Sequence, residues 1–486
     1  MTTKSNLFQH YPLNPAFFDE VFQKDGRVYP HYEDIHRQFS QLTSKDFERL
    51  NEYAKLSFLN QGITYAVYSD GHKGAEQIFP FDLFPRIIPS TDWNKLEKGL
   101  IQRNVALNLF IQDVYGDRKI LKDKIVPSAL IFSSPHYSEE MKSIKPQNGI
   151  YCHISGTDLI RHSDGEYYVL EDNLRSPSGV SYVLSNRDAM KRTLSNAFRW
   201  ANVRSVNEYP AELLATLQSV APVTDDQPTC ALLTPGTYNS AYYEHSFLAQ
   251  TMGIELVEGG DLFVENNYVF MRTIHGPKRV DVIYRRIDDA YLDPLVFRPE
   301  SMLGVPGIMG AYRAGNITIV NAPGTGVADD KAVCSYVPAM IRYYLGEEPI
   351  IPNVPTYLCE REEDLKYVLE HTRDLVIKPV DMSGGYGVLV CDRLSSAELE
   401  DIKLKIQADP RNYIAQPRMS LSVHSTYIEN KGEFEPRHID LRTFTLMGKD
   451  RQFVLPGGLS RVALKEGSLI VNSSQGGGSK DTWVLV

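Results

Sequence analysis

Asp164 and Gly165 lie between two strand-like runs in the segment GTDLIRHSDGEYYVLEDN, residues 156–173. An Asp-Gly pair in this setting is the strongest short-range signal for a β-hairpin. A two-residue turn at this pair predicts that Ile160 faces Val169 on the neighbouring strand. The hairpin therefore determines which side chains of the two strands lie next to each other.

The same pairing brings two carboxylates together, because it places Asp158 opposite Glu171. Like charges at directly opposite positions, with Cβ atoms roughly 5 Å apart, destabilise a sheet. Asn173 lies two residues farther along the same strand face as Glu171. Oxygen ligands of this kind suit Mg2+, and a bound cation would relieve the repulsion. The alternative is a solvated hairpin end on which the charged side chains point apart.

The composition is that of a soluble globular protein of two or three domains, with 486 residues, 42% hydrophobic and 23% charged. A formal net charge of -10 predicts no nucleic-acid partner. The five cysteines form no CxxC or Cys/His cluster, so neither a zinc site nor a disulfide framework is expected. The N-terminal segment lacks a hydrophobic signal core, and no apolar run is long enough to span a bilayer. We therefore expect a cytoplasmic protein without a membrane partner.

The order of elements along the chain predicts a mixed architecture. Residues 44–62 and 93–116 have helical patterns that end at glycine. From residue 229 onward, apolar strands alternate with helical segments, which predicts a parallel α/β sheet. Residues 356–420 are predicted to form another α/β unit, and residues 436–486 to form strands joined by glycine-rich loops. The sequence thus predicts α/β together with α+β structure.

A second informative segment is DLVIKPVDMSGGYGVLVCD, residues 374–392. Two apolar strands, 375–380 and 388–391, flank a glycine-rich loop, and Lys378 belongs to the first strand. Glycines let backbone amides approach an anion, and a lysine supplies a charge for phosphate oxygens. The residue order excludes a Walker A loop and a Rossmann fingerprint. The segment is either a phosphate-binding lid or a flexible hairpin with a surface lysine.

Several segments together resemble the ATP-grasp ligases, in which the nucleotide lies between two α+β lobes. VIKPVDMSGGYGV is similar to the lid strand of that family, and ADDKAVC, with Lys331, to the Asp-Lys segment before it. YIAQPRM, with Gln416, resembles the hinge around adenine. RHIDLRTFTL, with Arg442, is similar to the strand whose arginine approaches the transferring phosphate, and NSSQGGG, with Asn472, to the loop near the phosphates.

The terminal metal motif of that family precedes the lid here, whereas it normally follows it. The residues that match this motif are Gly156, Asp158, Glu171, Asn173, Pro177 and Gly179. The chain therefore resembles the circularly permuted ATP-grasp proteins of the glutathionylspermidine-synthase-like, carboxylate-amine ligase type. GITYAVY, PFDLFPRIIP and YRRIDDAYLDP extend the resemblance over nearly all of the chain. Permutation requires only that the old termini lie close together and that the new ones lie at the surface.

The resemblance implies an ATP-grasp fold with a permuted order of lobes and five consecutive regions. These are a partly helical region at 1–150, the permuted metal-binding part of the C-terminal lobe at 151–205, a pre-ATP-grasp-like α/β substrate domain at 206–350, the lid lobe at 351–420, and the rest of the C-terminal lobe at 421–486.

The resemblance also implies ATP as the nucleotide and two Mg2+ ions held by Asp158, Glu171 and Asn173. Arg442 and Lys378 would stabilise charge on the transferring phosphoryl group. Nucleotide-binding residues are expected at Lys331, Lys378, Ser383, Gly384, Gly385, Tyr386, Gly387, Gln416 and Asn472. An acyl substrate would be activated as an acylphosphate, and an amine would then displace phosphate to leave an amide.

Substrate recognition is predicted in two loops and beside the metal motif. Arg285 and Arg286 end a strand and either bind a carboxylate or form an ordinary salt-bridge cluster. The remaining predicted substrate residues are Ser176, Ser178, Gly179, Asn239 and Ser240, with Tyr242 and Glu244 as further candidates in the same loop. His245 and His438 are either bases or structural histidines.

Two other functions remain open at this stage. The chain could be a non-catalytic nucleotide-binding partner of a protein encoded nearby, or a phosphotransferase that uses the same ATP site and yields a phosphorylated product. The sequence specifies neither the acid and amine substrates nor the oligomeric state.

Overall fold

The computed structural model of the protein describes residues 6–69, 72–222, 227–381, 387–469, 471 and 476–486. For residues 65–69, 72–76 and 199–200 it describes the backbone. Helices and strands alternate in parts of the chain and segregate in others, which confirms the mixed α/β and α+β class. Among the described residues, no helix is long and apolar enough to cross a membrane.

The central sheet is assembled from three distant parts of the chain. Across the sheet its described strands are, in order, Phe81–Ile88, Gly478–Val484, Leu459–Val462, Glu433–Met447, Ile154–Arg161 and Tyr167–Asn173. Val423–Ile428 and Gln452–Val454 pair with the two ends of Glu433–Met447. The pairs are antiparallel except that Phe81–Ile88 runs parallel to Gly478–Val484.

The predicted hairpin is present, but its turn and part of its register differ from the prediction. Gly165 has a φ of +86°, and its N–H donates to the carbonyl of His162 in a three-residue loop. Ile160 therefore faces Tyr168, and the predicted pairing of Ile160 with Val169 is wrong. A register shift at Leu170 then brings Asp158 opposite Glu171, as predicted.

The second layer is a parallel sheet, which confirms the α/β prediction for residues after 229. Its strands are, in order, Thr318–Val320, Val282–Arg285, Cys230–Leu233 and Glu255–Val257. Helices Tyr242–Met252 and Ile308–Arg313 lie in the crossover connections, and an antiparallel sheet of Leu262–Glu265, Tyr268–Thr273 and Gly276–Val280 is inserted between them. A large apolar core joins this sheet to the helix Ser90–Tyr115.

A small antiparallel sheet contains the predicted lid strands. Its strands are, in order, Tyr357–Leu358, Tyr413–Pro417, Leu375–Pro379 and Leu389–Val390, and helices Glu362–His371 and Ser396–Ala408 accompany it. Leu375–Pro379 pairs with Leu389–Val390, so the two-strand arrangement predicted around the glycine-rich loop is confirmed. The predicted α/β unit is here an antiparallel sheet with two helices.

The helices predicted near the N-terminus are confirmed with small changes in their ends. Ser44–Asn60 begins at a capping box of Thr43 and Asp46, and Ser90–Tyr115 ends one residue before Gly116. The other helices are Glu33–Ser40, Lys119–Lys122, Ser128–Phe132, Val180–Thr193, Ser195–Ala201, Tyr209–Ser219, Asp289–Leu292, Lys331–Cys334 and Val337–Leu345. Thr64–Ser69 and His72–Ile78 form a separate antiparallel hairpin, and short 3-10 helices lie in several connections.

Candidate active site

A cleft with a cavity volume of about 120 Å³ lies between the central sheet and the small antiparallel sheet. Ile160 and Leu170 of the central sheet line it together with Val376 of the small sheet. Met419, in the segment that joins the two sheets, also lines the cleft. Apolar walls combined with a few polar groups are typical of a site for an organic ligand.

Gln416 and the two predicted phosphate-binding lysines, Lys331 and Lys378, line this same cleft. The side-chain amide of Gln416 donates to the hydroxyl of Thr356 at 3.0 Å, which orients it on its strand. The cleft therefore contains predicted nucleotide-binding residues from the strand at 413–417, the strand at 375–379 and the helix at 331–334.

Lys378 is buried at the end of its strand, with 8% of its surface exposed. Burial lowers the pKa of its ammonium group to about 8, because a charged group loses hydration there. The carboxylate of Glu171 opposes this shift, and the charge of Lys331 adds to it. A lysine in such a place interacts strongly with an anion, because little water screens the charge.

Three strands of the central sheet align charged side chains in one row. Arg442 lies directly opposite Asp158, which in turn lies directly opposite Glu171. Arg442 donates to both carboxylate oxygens of Asp158, from Nε at 2.6 Å and from Nη2 at 2.8 Å. Cross-strand neighbours of opposite charge stabilise a sheet, so the register of these strands explains the pairing.

A second arginine, Arg461, belongs to the same cluster of charged side chains. Arg461 lies directly opposite Asp440 on the neighbouring strand and donates to its carboxylate, from Nε at 2.9 Å. The Nη2 of Arg461 also donates to Oδ2 of Asp158 at 2.9 Å. Burial by itself would raise the pKa of Asp158, but Arg442 and Arg461 hold it well below its usual range. Asp158 is therefore an anion with two arginine partners.

Protein cations relieve the predicted repulsion between the two carboxylates. Besides its pair with Asp158, Arg442 places Nη2 at 4.0 Å from Oε1 of Glu171. The ammonium of Lys331 lies 3.6 Å from Oε2 of Glu171. Arg442 and Lys331 thus already supply positive charge beside the two carboxylates, and relief of the repulsion by a bound metal ion stays a prediction.

The residue between Glu171 and Asn173 points away from this row. Asp172 is buried and accepts from Arg103 of the helix Ser90–Tyr115, at 2.8 and 2.7 Å for Nε and Nη2. Thr157 donates to the same carboxylate at 3.2 Å. Because successive side chains of a strand point to opposite faces, Glu171 and Asn173 lie on the face of the site. Asp172 lies on the other face, where it forms a structural ion pair.

Glu171 and Asn173 fit a magnesium site as hard oxygen donors on one face of one strand. The amide nitrogen of Asn173 donates to the carbonyl of Gly156 at 3.3 Å. Among the described residues, no group of three or more His, Cys, Asp or Glu side chains forms a metal-binding cluster. Mg2+ needs only one or two protein carboxylates when substrate phosphates complete its coordination. The metal-binding role of Asp158, Glu171 and Asn173 stays a prediction.

A second cavity, with a volume of about 560 Å³, adjoins the cleft, and Glu171 and Arg461 line both. It lies beyond the carboxyl ends of the parallel strands Cys230–Leu233 and Val282–Arg285. Seven predicted substrate residues line it, namely Ser176, Ser178, Gly179, Asn239, Ser240, Arg285 and Arg286. Of the two further candidates, Glu244 lines it as well, and Tyr242 is not among its described lining residues. Such crevices at the strand ends of α/β sheets are common ligand sites.

The two arginines at this cavity already have protein partners. Arg285 donates to the carbonyls of Asn321 and Ile287, both at 2.8 Å, and pairs with Asp289 at 2.5 Å. Arg286 donates to Glu244 at 2.9 Å. Both arginines therefore take part in salt bridges, while Nε of Arg286 has no hydrogen-bond partner among the described residues. Their binding of a substrate carboxylate stays a prediction.

Glu244, His245 and His438 are in surroundings that fit a structural role. Glu244 accepts from the backbone N–H of Gly179 at 2.7 Å and of Ser181 at 3.1 Å, which neutralises the start of the helix Val180–Thr193. Burial and the charge of Arg286 lower the pKa of His245 to about 2. Burial also lowers the pKa of His438, whose Nδ1 lies 3.1 Å from the carbonyl of Leu421.

Part of the predicted phosphate loop lies outside the described residues, namely Ser383, Gly384, Gly385, Tyr386 and Asn472. Gly387 is described, with a φ of +73° that favours glycine. Sequence reasoning missed Asp440 and Arg461, although both line the cleft. The local sequence indicates a role for them only through a charged residue next to apolar residues in a strand, in HIDLR for Asp440 and in GLSRV for Arg461.

The sequence profile of the family Circularly permuted ATP-grasp type 2 matches residues 85–463. The protein belongs to this family, which agrees with two sheets that enclose a lysine-lined cleft. The earlier resemblance is thereby confirmed, together with the ATP-grasp fold.

Relatives of this chain extend over nearly its whole length. An uncharacterized protein of Synechocystis sp. is 51% identical over 469 residues, which are 96% of this chain and 97% of that protein. A Frankia alni protein provisionally named glutamate–cysteine ligase 2-3 is 40% identical over 479 residues, 98% of this chain but only 54% of that protein. The apo structure of a glutathione synthetase-like effector from Globodera pallida has a TM-score of 0.59 at 13% identity, over 90% of this chain and 98% of that chain. At that identity the likeness concerns the fold alone.

Proposed function

We propose that the protein is an ATP- and Mg2+-dependent ligase that joins a carboxylate to an amine through an acylphosphate. The observation that carries this proposal is the pair of adjoining cavities with Glu171 and Arg461 between them. A nucleotide would occupy the cleft between the sheets, and the acyl and amine substrates the larger cavity. Family membership and the provisional name of the Frankia relative support this reaction class.

The protein side chains would act by positioning and by charge. Lys331 and Lys378 would bind phosphate oxygens in the cleft, and Arg442 would stabilise charge on the transferring phosphoryl group. Glu171 and Asn173, with Asp158 as a third ligand, would hold Mg2+, which neutralises phosphate charge when bound. Exclusion of water from the cleft would protect the activated acyl group from hydrolysis.

The chemistry needs no protein nucleophile. A carboxylate oxygen attacks the γ-phosphorus of ATP and ADP leaves, which gives the acylphosphate. The amine nitrogen then attacks the acyl carbon, phosphate leaves with its electron pair, and the nitrogen loses a proton to form the amide. The products are ADP, phosphate and the condensed substrate.

The test is mass spectrometry of a small-molecule extract, and separately of amino-acid mixtures beginning with glutamate and cysteine, incubated with the protein and MgATP. We expect ADP together with a product equal to two substrates minus water. A metabolite that gains one phosphate would instead identify a phosphotransferase. Bound but unconsumed ATP would identify a nucleotide-binding partner protein.

The matched variant is Lys378→Ala, which removes the buried cation from the cleft. We expect ADP formation to fall roughly 100-fold or more, as when a preorganised charge-stabilising group is lost. Lys366→Ala is the control, because Lys366 is exposed on the helix Glu362–His371. Equal turnover by Lys378→Ala and the wild type would contradict the assignment of the cleft.

A further inference from the structure

The guanidinium of Arg442 lies close to both carboxylates that are predicted to bind metal. Its guanidinium donates to both oxygens of Asp158, and the same Nη2 lies 4.0 Å from Glu171. Asp158 is 1% exposed and accepts a further hydrogen bond from Arg461. The predicted catalytic arginine and two predicted metal ligands are thus direct partners in this structure.

A divalent cation bound to Asp158 would meet this guanidinium at the same carboxylate. Arg442 donates to both carboxylate oxygens, at 2.6 and 2.8 Å, and Arg461 donates to Oδ2 as well, so three of the roughly four acceptor sites are already used. A metal ion bound to the same oxygens would lie next to a positive guanidinium in a buried place, where like charges repel strongly. The two cations therefore disfavour each other at this carboxylate.

We propose that Arg442 and the divalent cation compete for Asp158 and Glu171. In the contacts described, the guanidinium is the counter-ion of this acidic pair, and metal binding displaces it from Asp158. This inference rests on the metal binding of the proposed function. The released side chain of Arg442 can extend into the larger cavity. It already lines that cavity, and its Nη1 lies 3.4 Å from the carbonyl of Ser178.

Arg461 makes the competition testable, because it remains when Arg442 is removed. It pairs with both Asp158 and Asp440, so an Arg442→Met variant leaves Asp158 with one arginine partner. Asp158 therefore keeps a cationic partner, which it shares with Asp440, and neither buried carboxylate loses every partner. Loss of every partner is the usual reason that a broken ion pair unfolds a protein. Arg442→Lys is a second variant that keeps a positive charge but loses the bidentate contact.

The experiment measures Mn2+ binding without nucleotide, by the electron paramagnetic resonance signal of free Mn2+. We expect Arg442→Met to bind Mn2+ at least roughly tenfold more tightly than the wild type, because a charge-assisted contact no longer competes. Arg442→Lys should lie between them. Arg437→Met is the matched control, because Arg437 lies on the same strand and pairs with Glu435 at 2.7 Å.

The outcomes separate the competition from the metal site itself. A Glu171→Gln change added to Arg442→Met should abolish the gain in affinity, which would locate the ion at the acidic pair. Equal or weaker Mn2+ binding by Arg442→Met than by the wild type would overturn the competition and leave the site in place. Absence of Mn2+ binding to every variant, with and without ATP, would overturn both the competition and the metal requirement of the proposed function.

Discussion

Lys378 links the proposed nucleotide site to pH. Its pKa of about 8 lies below the ordinary 10.5 of a lysine, because it is buried. Only the protonated form attracts phosphate, so the affinity for ATP should be full below pH 8 and fall as the pH rises through 8. Above that point, each pH unit should weaken binding up to about tenfold, until the higher pKa of the complex is reached. Titration calorimetry with MgATP between pH 7 and 9.5 measures this.

The Lys378→Arg variant provides the comparison for this profile, because a guanidinium stays charged throughout the range. Its affinity for ATP should remain flat where that of the wild type falls. Lys366→Arg, at an exposed position, should follow the wild type. A wild-type affinity that does not change between pH 7 and 9.5 would contradict a functional role for the Lys378 charge.

Local residue patterns predicted contacts between residues close in the chain, whereas the family resemblance grouped distant residues such as Lys331, Lys378 and Gln416. The proximity of Asp158 to Glu171 follows from one local hairpin. The contact of Arg442 with Asp158 joins residues 284 positions apart, and only the pairing of two distant strands produces it. Local patterns contain no information on such pairing. Arg461 and Asp440 were missed for the same reason, because their mutual ion pair appears only in the assembled sheet.

In the hairpin of Ile154–Arg161 and Tyr167–Asn173, which we call the metal-motif hairpin, two irregularities of strand pairing cancel each other. The three-residue loop at Gly165 moves the register by one residue from the two-residue prediction, which would place Glu171 on the opposite face. The register shift at Leu170 restores the alignment of Asp158 with Glu171. As a result, the successive residues Leu170 and Glu171 both line the cleft. Sequence periodicity predicts regular strands, so it could not reveal either irregularity.

The same hairpin makes a prediction about Gly156, whose backbone lies against the loop after the metal motif. A Cβ at position 156 would lie 2.8 Å from Cβ of Pro177 and 3.8 Å from Cβ of Asn173. Gly156→Ala should therefore force the Pro177 loop outward and destabilise the protein by about 1–3 kcal/mol. Because that loop contains Ser176 and Ser178, turnover should also fall. Differential scanning calorimetry and the ADP assay measure the two effects.

Gly260→Ala is the matched control for this substitution. An added Cβ at position 260 meets no described atom within 4 Å, and its φ is not in the left-handed region. Its thermal midpoint and turnover should equal those of the wild type. If Gly156→Ala is as stable and as active as Gly260→Ala, the close packing of position 156 against Pro177 does not shape the site.

The site depends on the central sheet of the molecule, to which distant segments of the chain contribute strands. Phe81–Ile88 pairs in parallel with Gly478–Val484, while the metal-motif hairpin joins the same sheet through Glu433–Met447. The family resemblance predicted the permuted order of motifs, and the sequence patterns predicted the parallel sheet. The addition of Phe81–Ile88 to the central sheet was not predicted, because an apolar segment does not specify its partner strand.

This arrangement predicts that one bound nucleotide stabilises two separate sheets at once. The cleft has the central sheet on one side and the small antiparallel sheet on the other, so a ligand that contacts both must slow the opening of both. Hydrogen exchange with and without a non-hydrolysable ATP analogue and Mg2+ should show slower exchange in Leu375–Pro379, Tyr413–Pro417 and Tyr167–Asn173. Gly276–Val280, in the inserted antiparallel sheet, is the internal control and should not change. Protection of only one of the two sheets would place the nucleotide outside the cleft between them.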